Sequence, residues 1–581
     1  MRNLSEILRL LARYKGRLAA GALFVLLTNT ILIFGPRLLG AAIDDLRVGL
    51  VRHPLGWYLG WLLAVSVGQG LTRFAMRRIL IGASRKVERD LRATYLERLL
   101  ELPRAFFARH YTGDLMSRAT QDIENVRMAA GPALMYSLDT LFLSAYSLSM
   151  MLWIQPGLTG IVLLLLPLIS GLVWWISHHI HLATMESQRC FGRLSTSIQE
   201  SLSGIRVVQA YVQEEARGAG FNRELLEYRR LQMKLVGLQS AFRPLLGLLF
   251  AVGQGLVLWQ GGVLIIAGRL SLGDYVAFST YLTLLSWPMV ATGWSLSLLQ
   301  RGSAGMRRLN EILGAPEDLN RGGLRPELVP LLEVRGLGFR YPDAATPALT
   351  DISFTLEPGR TLGLVGPTGS GKSTLLRLIS RQADPDQGSI RLGGHELAEL
   401  DADLLRAQLS VVPQEAFLFS ASLADNVRYG RPDAPDADLN RAAEDSRLEQ
   451  DLAQLPQGWE TLVGERGVTL SGGQKQRATI ARALLSEAPL LLLDDALSAI
   501  DTRTEEALVR RLRDVMSRRT VLIASHRLSI MREVDEILVL DQGRVVERGT
   551  HSELVALGGL YAALWQRQEL VSELVGELEA A

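Results

Sequence analysis

The sequence predicts an α-helical membrane domain of six spans with long cytoplasmic extensions, followed by an α/β P-loop domain. Three observations carry that expectation. Apolar residues make up 48% of the 581-residue chain and are concentrated before about residue 305. A Gly/Pro/Glu/Arg-rich stretch at 314–330 then changes the composition. Beyond it, short apolar runs alternate with helical patterns, as α/β architecture requires, and one run enters a glycine-rich loop ending in Gly371, Lys372 and Ser373.

A spanning helix needs about 20 mostly apolar residues. Segments 18–43, 55–72, 132–154, 158–180, 244–267 and 275–299 meet that need, and residues 4–14 read as a short amphipathic helix at the membrane surface. Basic residues crowd the connection after the second segment, from Arg73 through Arg127, whereas residues 155–157 between the third and fourth carry no charge. The positive-inside rule therefore places both termini and the second domain in the cytoplasm. Each long cytoplasmic connection, of about 60 residues, keeps apolar residues at helical spacing, so the helices are expected to continue below the bilayer. Gly35-Pro36, Pro167 and Pro288 are candidate kinks. Asp139 is an ionisable residue near a span and hence a functional candidate, against a reading as a paired or hydrated group on a cytoplasmic extension.

Net charge is only +2, which argues against a nucleic-acid partner. Arginine supplies nearly all the positive charge, with lysine at 15, 86, 234, 372 and 475 alone. The single cysteine, Cys190, excludes an intramolecular disulfide and a cysteine metal site, and is expected to be a packed thiol. Arg2, Arg9 and Arg13 precede the first apolar segment without a small-residue cleavage site, so that segment is expected to stay as a span.

Gly366-Pro367-Thr368-Gly369-Ser370-Gly371-Lys372-Ser373-Thr374 is a full P-loop, following the apolar strand 361–365 and opening a helix. Its glycines let backbone N–H groups close round phosphates at a helix N-terminus. Lys372 is placed for the β- and γ-phosphates of ATP and Ser373 for Mg²⁺. Leu490–Leu493 form a buried strand ending in Asp494, a candidate magnesium ligand.

Leu470-Ser471-Gly472-Gly473-Gln474, ahead of that strand, resembles the signature of ATP-binding cassettes. The resemblance implies that Ser471 and Gly473 reach the γ-phosphate of ATP held by a second subunit, with Gly472 and Gln474 in the same site. A dimer is thus implied. Gln414 resembles the loop glutamine that senses magnesium, His526 the switch histidine at the γ-phosphate, and Tyr341 the aromatic that stacks on adenine. The stretch 461–467 resembles one found in ABC exporters, and Phe106-Phe107, Gly113-Asp114 and 204–208 fall where exporters place their coupling regions. The implied domains are an interfacial helix at 1–16, a membrane domain at 17–313, a linker at 314–330, an ATPase domain at 331–565 and an amphipathic tail helix at 566–581.

One position departs from the family. Asp495 stands where most members carry the glutamate that polarises the attacking water. Its carboxylate is one carbon–carbon bond, ~1.5 Å, shorter in reach, and a general base must come within about 3 Å of its proton. Asp495, with His526 and Gln414 beside it, is then expected to bind ATP but hydrolyse slowly. This resembles the degenerate subunit of heterodimeric exporters of the bacterial multidrug and antigen-peptide type. A homodimer or lipid flippase with two slow sites, an importer, and an ATP-gated channel or regulator remain as alternatives. Cargo is expected to be amphipathic or hydrophobic, a drug, lipid or peptide, because the spans offer Trp174, Trp259, Trp287, Trp294, Asn29, Gln69 and Gln254 with few charges. In the tail, Val571, Leu574, Val575 and Leu578 form an apolar stripe for a partner's tail or for the chain's own domain.

Overall fold

The structure, a computed structural model, describes residues 2–48, 53–316, 322–341, 344–464, 467, 469–500 and 502–580. The chain divides into two compact units, Met1–Leu100 with Tyr111–Ala315, and Glu101–His110 with Pro316–Ala581. The short segment Glu101–His110 thus counts with the second unit, a grouping the linear order of the sequence hides.

The first unit is helical. Its elements are α1 (Arg2–Ala12), α2 (Lys15–Val48), α3 (Leu55–Glu101), α4 (Arg104–Arg109), α5 (Thr112–Ser117), α6 (Ile123–Met128), α7 (Leu134–Ile154), α8 (Pro156–Ser203), α9 (Ile205–Ala210), α10 (Glu214–Ile266), α11 (Leu272–Leu284) and α12 (Ser286–Leu313), with α4 lying in the segment grouped apart. Two π-helical turns, Arg118–Asp122 and Ala129–Ala133, join α5, α6 and α7 into one run. Pro132 sits in the second turn, where the wider spacing accommodates its missing N–H. Pro36 and Pro167 lie inside unbroken helices, whereas the break between α11 and α12 falls at Leu285, just before Pro288.

Among the described residues, four stretches are long and apolar enough to cross a membrane: Lys15–Arg47, Thr112–Ile154, Glu214–Ile266 and Leu272–Leu313. The expected spans 55–72 and 158–180 fall in α3 and α8, which are not among the four. In α3 the run holds Trp57, Tyr58, Trp61 and Gln69 and is followed at once by Arg73; in α8 it includes side chains outside the described ones, Trp174 among them.

Packing within this unit relies on close backbone approach. A Cβ on Gly40 would lie 2.5 Å from the Gly273 carbonyl oxygen, so α2 and α11 touch through their backbones. Asp44 locks the crossing by accepting from the Ser271 hydroxyl at 2.6 Å and the Gly273 N–H at 2.7 Å. Gly302 and Gly305 bring α12 against the α5–α7 run in the same way, and Arg308 donates to Asp122 at 2.7 Å beside them. The long α8 and α10 pair through Arg193–Glu227 and Lys234–Glu186, with Cys190 buried as expected. In α1, Ile7 and Leu11 are buried, Leu8 is exposed, and Glu6 accepts from Asn310 of α12.

The second unit is α/β. Its strands are β1 (Leu332–Phe339), β2 (Leu349–Leu356), β3 (Thr361–Val365), β4 (Gln387–Leu392), β5 (His395–Glu396), β6 (Leu409–Val412), β7 (Leu490–Asp494), β8 (Thr520–Ala524), β9 (Glu536–Asp541) and β10 (Arg544–Gly549). Its helices are α13 (Lys372–Ile379), α14 (Ala402–Ala407), α15 (Leu423–Arg428), α16 (Asp436–Asp445), α17 (Glu449–Leu452), α18 (Gly472–Leu485), α19 (Thr502–Met516), α20 (His551–Leu557) and α21 (Leu560–Ala580). Among the described residues they form an antiparallel sheet of order β2-β1-β4-β5 and a mainly parallel sheet of order β10-β9-β3-β8-β7-β6. The inner strands β3, β7 and β8 are almost wholly buried, which explains their unbroken apolar runs. The tail helix begins at Leu560, earlier than residue 566, and its first turns lie on its own domain. Tyr561 is fully buried and the Gln568 side-chain Oε1 accepts from the Leu528 N–H at 2.9 Å. The stripe from Val571 to Leu578 lies outside the described side chains.

Candidate nucleotide site and its neighbours

Parallel pairing puts the C-terminal ends of β3, β8, β7 and β6 in a row, the position where open α/β sheets build their sites. The register is direct: Leu364 faces Ala524, Ala524 faces Asp494, and Leu493 faces Val412. The loops leaving these strands carry the P-loop, His526, Asp495 and Gln414 respectively. A loop and three residues far apart in sequence are thus set along the C-terminal ends of neighbouring strands.

The P-loop backbone is shaped by glycine. Gly366, Gly369 and Gly371 have φ of 154°, 84° and 105°, values that L side chains avoid. A Cβ on Gly366 would run into the Leu540 carbonyl, and one on Gly371 would lie 2.6 Å from Leu349 Cδ2. Around Gly369 there is open space, and Thr368 beside it is exposed. The resulting turn delivers the N-terminus of α13 behind Gly371, with Ser370 buried beneath.

Lys372 is buried and its ammonium turns back into the loop, donating to the carbonyls of Gly366 at 2.8 Å and Pro367 at 2.9 Å and to the Ser370 hydroxyl at 3.3 Å. Burial pushes its pKa below the ordinary lysine value, while the charges of Asp495 and Asp494 pull the other way. The Ser373 hydroxyl donates to Asp494 Oδ1 at 2.8 Å. Burial raises the Asp494 carboxyl pKa, opposed by that hydrogen bond. A hydroxyl and a carboxylate at hydrogen-bond distance are hard oxygen donors that suit Mg²⁺, an ion usually held by one or two carboxylates together with substrate phosphates. No cluster of three or more His, Cys, Asp or Glu able to hold a metal exists among the described residues.

Asp495 has φ of 47°, the left-handed region, where aspartate is better tolerated than most residues. Its N–H donates to the Ala524 carbonyl at 2.7 Å, and its Oδ1 accepts from the His526 backbone N–H at 3.3 Å. The carboxylate is buried and already engaged with the segment that carries His526. Burial, then the Lys372 charge, hold the His526 imidazole below its ordinary pKa. Tyr341 sits at the mouth, its hydroxyl 3.2 Å from the Thr374 hydroxyl and accepting from Arg377 at 3.1 Å. Gln414 is exposed just past β6.

Ser471 caps α18 in a reciprocal box: its hydroxyl accepts from the Gln474 N–H at 3.2 Å, and its own N–H donates to the Gln474 side-chain Oε1 at 2.9 Å. Ser471 and Gly472 are exposed, and neither bond of the box reaches the P-loop. In the stretch 461–467, Glu465 and Arg466 lie outside the described residues.

Three partners were not visible in the motifs. Buried Gln476 donates to the Asp495 carbonyl at 3.1 Å and accepts from the Ala499 N–H at 2.8 Å, fastening the signature helix to the Asp495 turn. Arg477 grips buried Asp451 with two bonds of 2.6 and 2.7 Å. Arg482 donates to the carbonyls of Asn426 at 2.7 Å and Phe417 at 3.0 Å, securing the segment after Gln414. The run Gln474-Lys475-Gln476-Arg477 reads as an ordinary polar helix, so only a rule for its long-range partners would have found them.

The family description "ABC transporter transmembrane region" matches residues 18–289, and "ABC transporter" matches residues 349–498. The probable multidrug resistance ABC transporter ATP-binding/permease protein YheI of Bacillus subtilis is 36% identical over 558 residues, covering 95% of each chain. The chain belongs to the ABC transporter family. The multidrug resistance-like ATP-binding protein MdlA of Escherichia coli is 37% identical over 96% of this chain and 95% of its own length. An ATP-dependent lipid A-core flippase of Aromatoleum aromaticum is 38% identical over 87% of this chain and 84% of its own. A solved bacterial Atm1-family ABC exporter with ATP bound superposes with a TM-score of 0.79 at 28% identity, covering 95% of this chain and 99% of that one. The protein is therefore a multi-pass membrane half-transporter of exporter type, its helical domain fused to an ABC ATPase domain that couples ATP hydrolysis to transport.

Proposed function

We propose that the protein is one subunit of a dimeric exporter that expels amphipathic or hydrophobic cargo across the inner membrane. Six passes, with both termini and the ATPase domain cytoplasmic, are the topology this reading uses; the arginine-rich connections support it. One observation carries the dimer. The P-loop and the Ser471–Gln474 signature are each well formed, yet the signature's capping bonds are local and its face is open. A second subunit's ATP is what that face would meet.

In this reading Tyr341 stacks on adenine, Gly366 through Gly371 and Lys372 hold the phosphates, Ser373, Gln414 and Asp494 hold Mg²⁺, and Thr374 steadies Tyr341. The ion, when bound, offsets charge developing on the phosphates. Asp495 is the acceptor for the attacking water's proton and His526 faces the γ-phosphate. Because Asp495 is short and already holds the His526 N–H, this site turns over slowly. A heterodimer follows, in which this chain's intact signature completes the partner's faster site. A homodimer that flips lipid is the second reading, favoured by the 38% identity to a lipid A-core flippase.

ATP-dependent uptake of amphipathic cargo into inside-out vesicles, with cargo-stimulated ATPase, tests the pump. A cargo-independent conductance opened by ATP, without uptake against a gradient, would instead identify a channel.

A further inference from the structure

The membrane unit holds a cavity of about 250 Å³ lined by Arg73 and Arg77 of α3, Tyr136 and Asp139 of α7, and Trp287 of α12, among others. That is smaller than the 300–1,000 Å³ typical of pockets that engulf a drug-sized molecule, so it suits one end of a ligand rather than the whole. Its charges are mixed. Asp139 is buried, and one carboxylate oxygen accepts from the Asn29 amide at 2.8 Å. Both arginines are exposed. Among the described residues, neither forms an ion pair with Asp139. Tyr136 lies 6.3 Å from the Trp287 ring and 4.7 Å from Trp294, giving the cavity an aromatic wall.

Depth narrows the occupant. At ~1.5 Å per residue, Arg73 stands ~27 Å along its helix from Leu55 and Asp139 ~22 Å from Ile154, while Trp287 opens α12 beyond the whole length of α11, itself ~20 Å. Against a hydrocarbon core of ~30 Å, all three fall toward the same edge, the cytoplasmic one in the topology proposed above. That is the level of lipid headgroups.

We infer that this cavity receives the headgroup of a zwitterionic phospholipid from the cytoplasmic leaflet, Arg73 and Arg77 taking the phosphodiester and Asp139 the ammonium. Asn29 is a positioning residue, holding the Asp139 carboxylate toward the cavity. A purely anionic head would satisfy the guanidinium groups but face Asp139. A purely cationic head would meet two arginines. A head carrying both charges meets complementary groups throughout, and the aromatic faces add attraction for its ammonium. This inference deepens the proposed export of amphipathic cargo and rests on it.

The test titrates the full-length, delipidated protein with phosphatidylethanolamine or phosphatidylglycerol of matched acyl chains, counting bound lipid by native mass spectrometry. Wild type is expected to favour the zwitterion by about tenfold, the worth of one charge-assisted contact. Asp139→Asn should abolish the preference, Asp139→Glu should retain it, and Arg73→Gln with Arg77→Gln should weaken both lipids. Equal binding of the two lipids by wild type, or an unchanged ratio in Asp139→Asn protein with an unaltered melting temperature, would overturn the inference. Glycerophosphoethanolamine, the same head without tails, should not displace the lipid at equal concentration; displacement would refute a lipid as the source. Uptake of other amphiphiles with no lipid preference would defeat this inference alone. A retained preference with no uptake of any amphiphile would defeat the export reading instead.

Discussion

The P-loop and the signature are both glycine-bearing helix starts in one domain, yet they are finished differently. The P-loop closes on itself: Lys372 is buried and satisfied by its own loop's carbonyls, and Ser373 is bonded to Asp494. The signature closes only its own cap, and is held from behind by Gln476 and by the Arg477–Asp451 pair. One half is complete before a ligand arrives, while the other is braced toward something outside the chain. In the proposed dimer, that difference leaves one subunit able to hold ATP while its signature serves the other's.

Breaking the brace should have the largest effect. Asp451→Ala leaves the largely covered Arg477 guanidinium without its carboxylate and should cost about 3 kcal/mol, the lower end for a buried pair, seen as a lower melting temperature of the ATPase unit. Lys372→Ala removes a charged group from the phosphate cradle without touching the brace. Nucleotide affinity should fall by roughly 10–100-fold, read by binding of a fluorescent ATP analogue, with a smaller loss of melting temperature than Asp451→Ala gives. Gln476→Ala strips a partner from the Asp495 carbonyl and the Ala499 N–H, costing about 1–3 kcal/mol. It should also slow hydrolysis in the assembled dimer while leaving ATP binding intact, because it lies behind both sites.

Ser471→Ala should destabilise by about 1 kcal/mol through its lost cap, yet suppress transport out of proportion to that. Equal losses of stability and transport would make Ser471 only a cap. The smallest effect is on pH. His526 in the folded protein has its pKa below 6.5, so as pH falls through 6.5 the unfolded chain takes up a proton that the folded chain refuses. Stability contributed at neutral pH is therefore lost on acidification. The melting temperature of wild type should drop slightly more between pH 7.5 and 5.5 than that of His526→Gln.

The P-loop turn and the strand before Asp494 were legible in the sequence because each is a short contiguous pattern set by the local backbone. Gly366, Gly369 and Gly371 announce positive φ, and Asp494 ends a run of four leucines. Gln476, Asp451 and Arg482 were not legible, since their roles exist only once α17, α18 and the segment after Gln414 are folded together. The membrane half shows the same divide. Six apolar segments could be read from composition, but four stretches meet the length and apolarity of a span among the described residues. The Gly40–Gly273 crossing and the pairing of Asn29 with Asp139 carry no local signature at all. The left-handed turn at Asp495 was equally silent, although it supplies a conformational reason for aspartate there.

That residue offers the most direct test of the asymmetry. ATPase activity of the purified chain alone should be measured in detergent with Mg-ATP, beside Asp495→Glu. Wild type should be nearly inactive and the variant should gain on the order of the 10²–10⁴-fold that a well-placed general base contributes. Wild type that already turns over at the variant's rate would contradict it, leaving a working homodimer in which Asp495 is an adequate base.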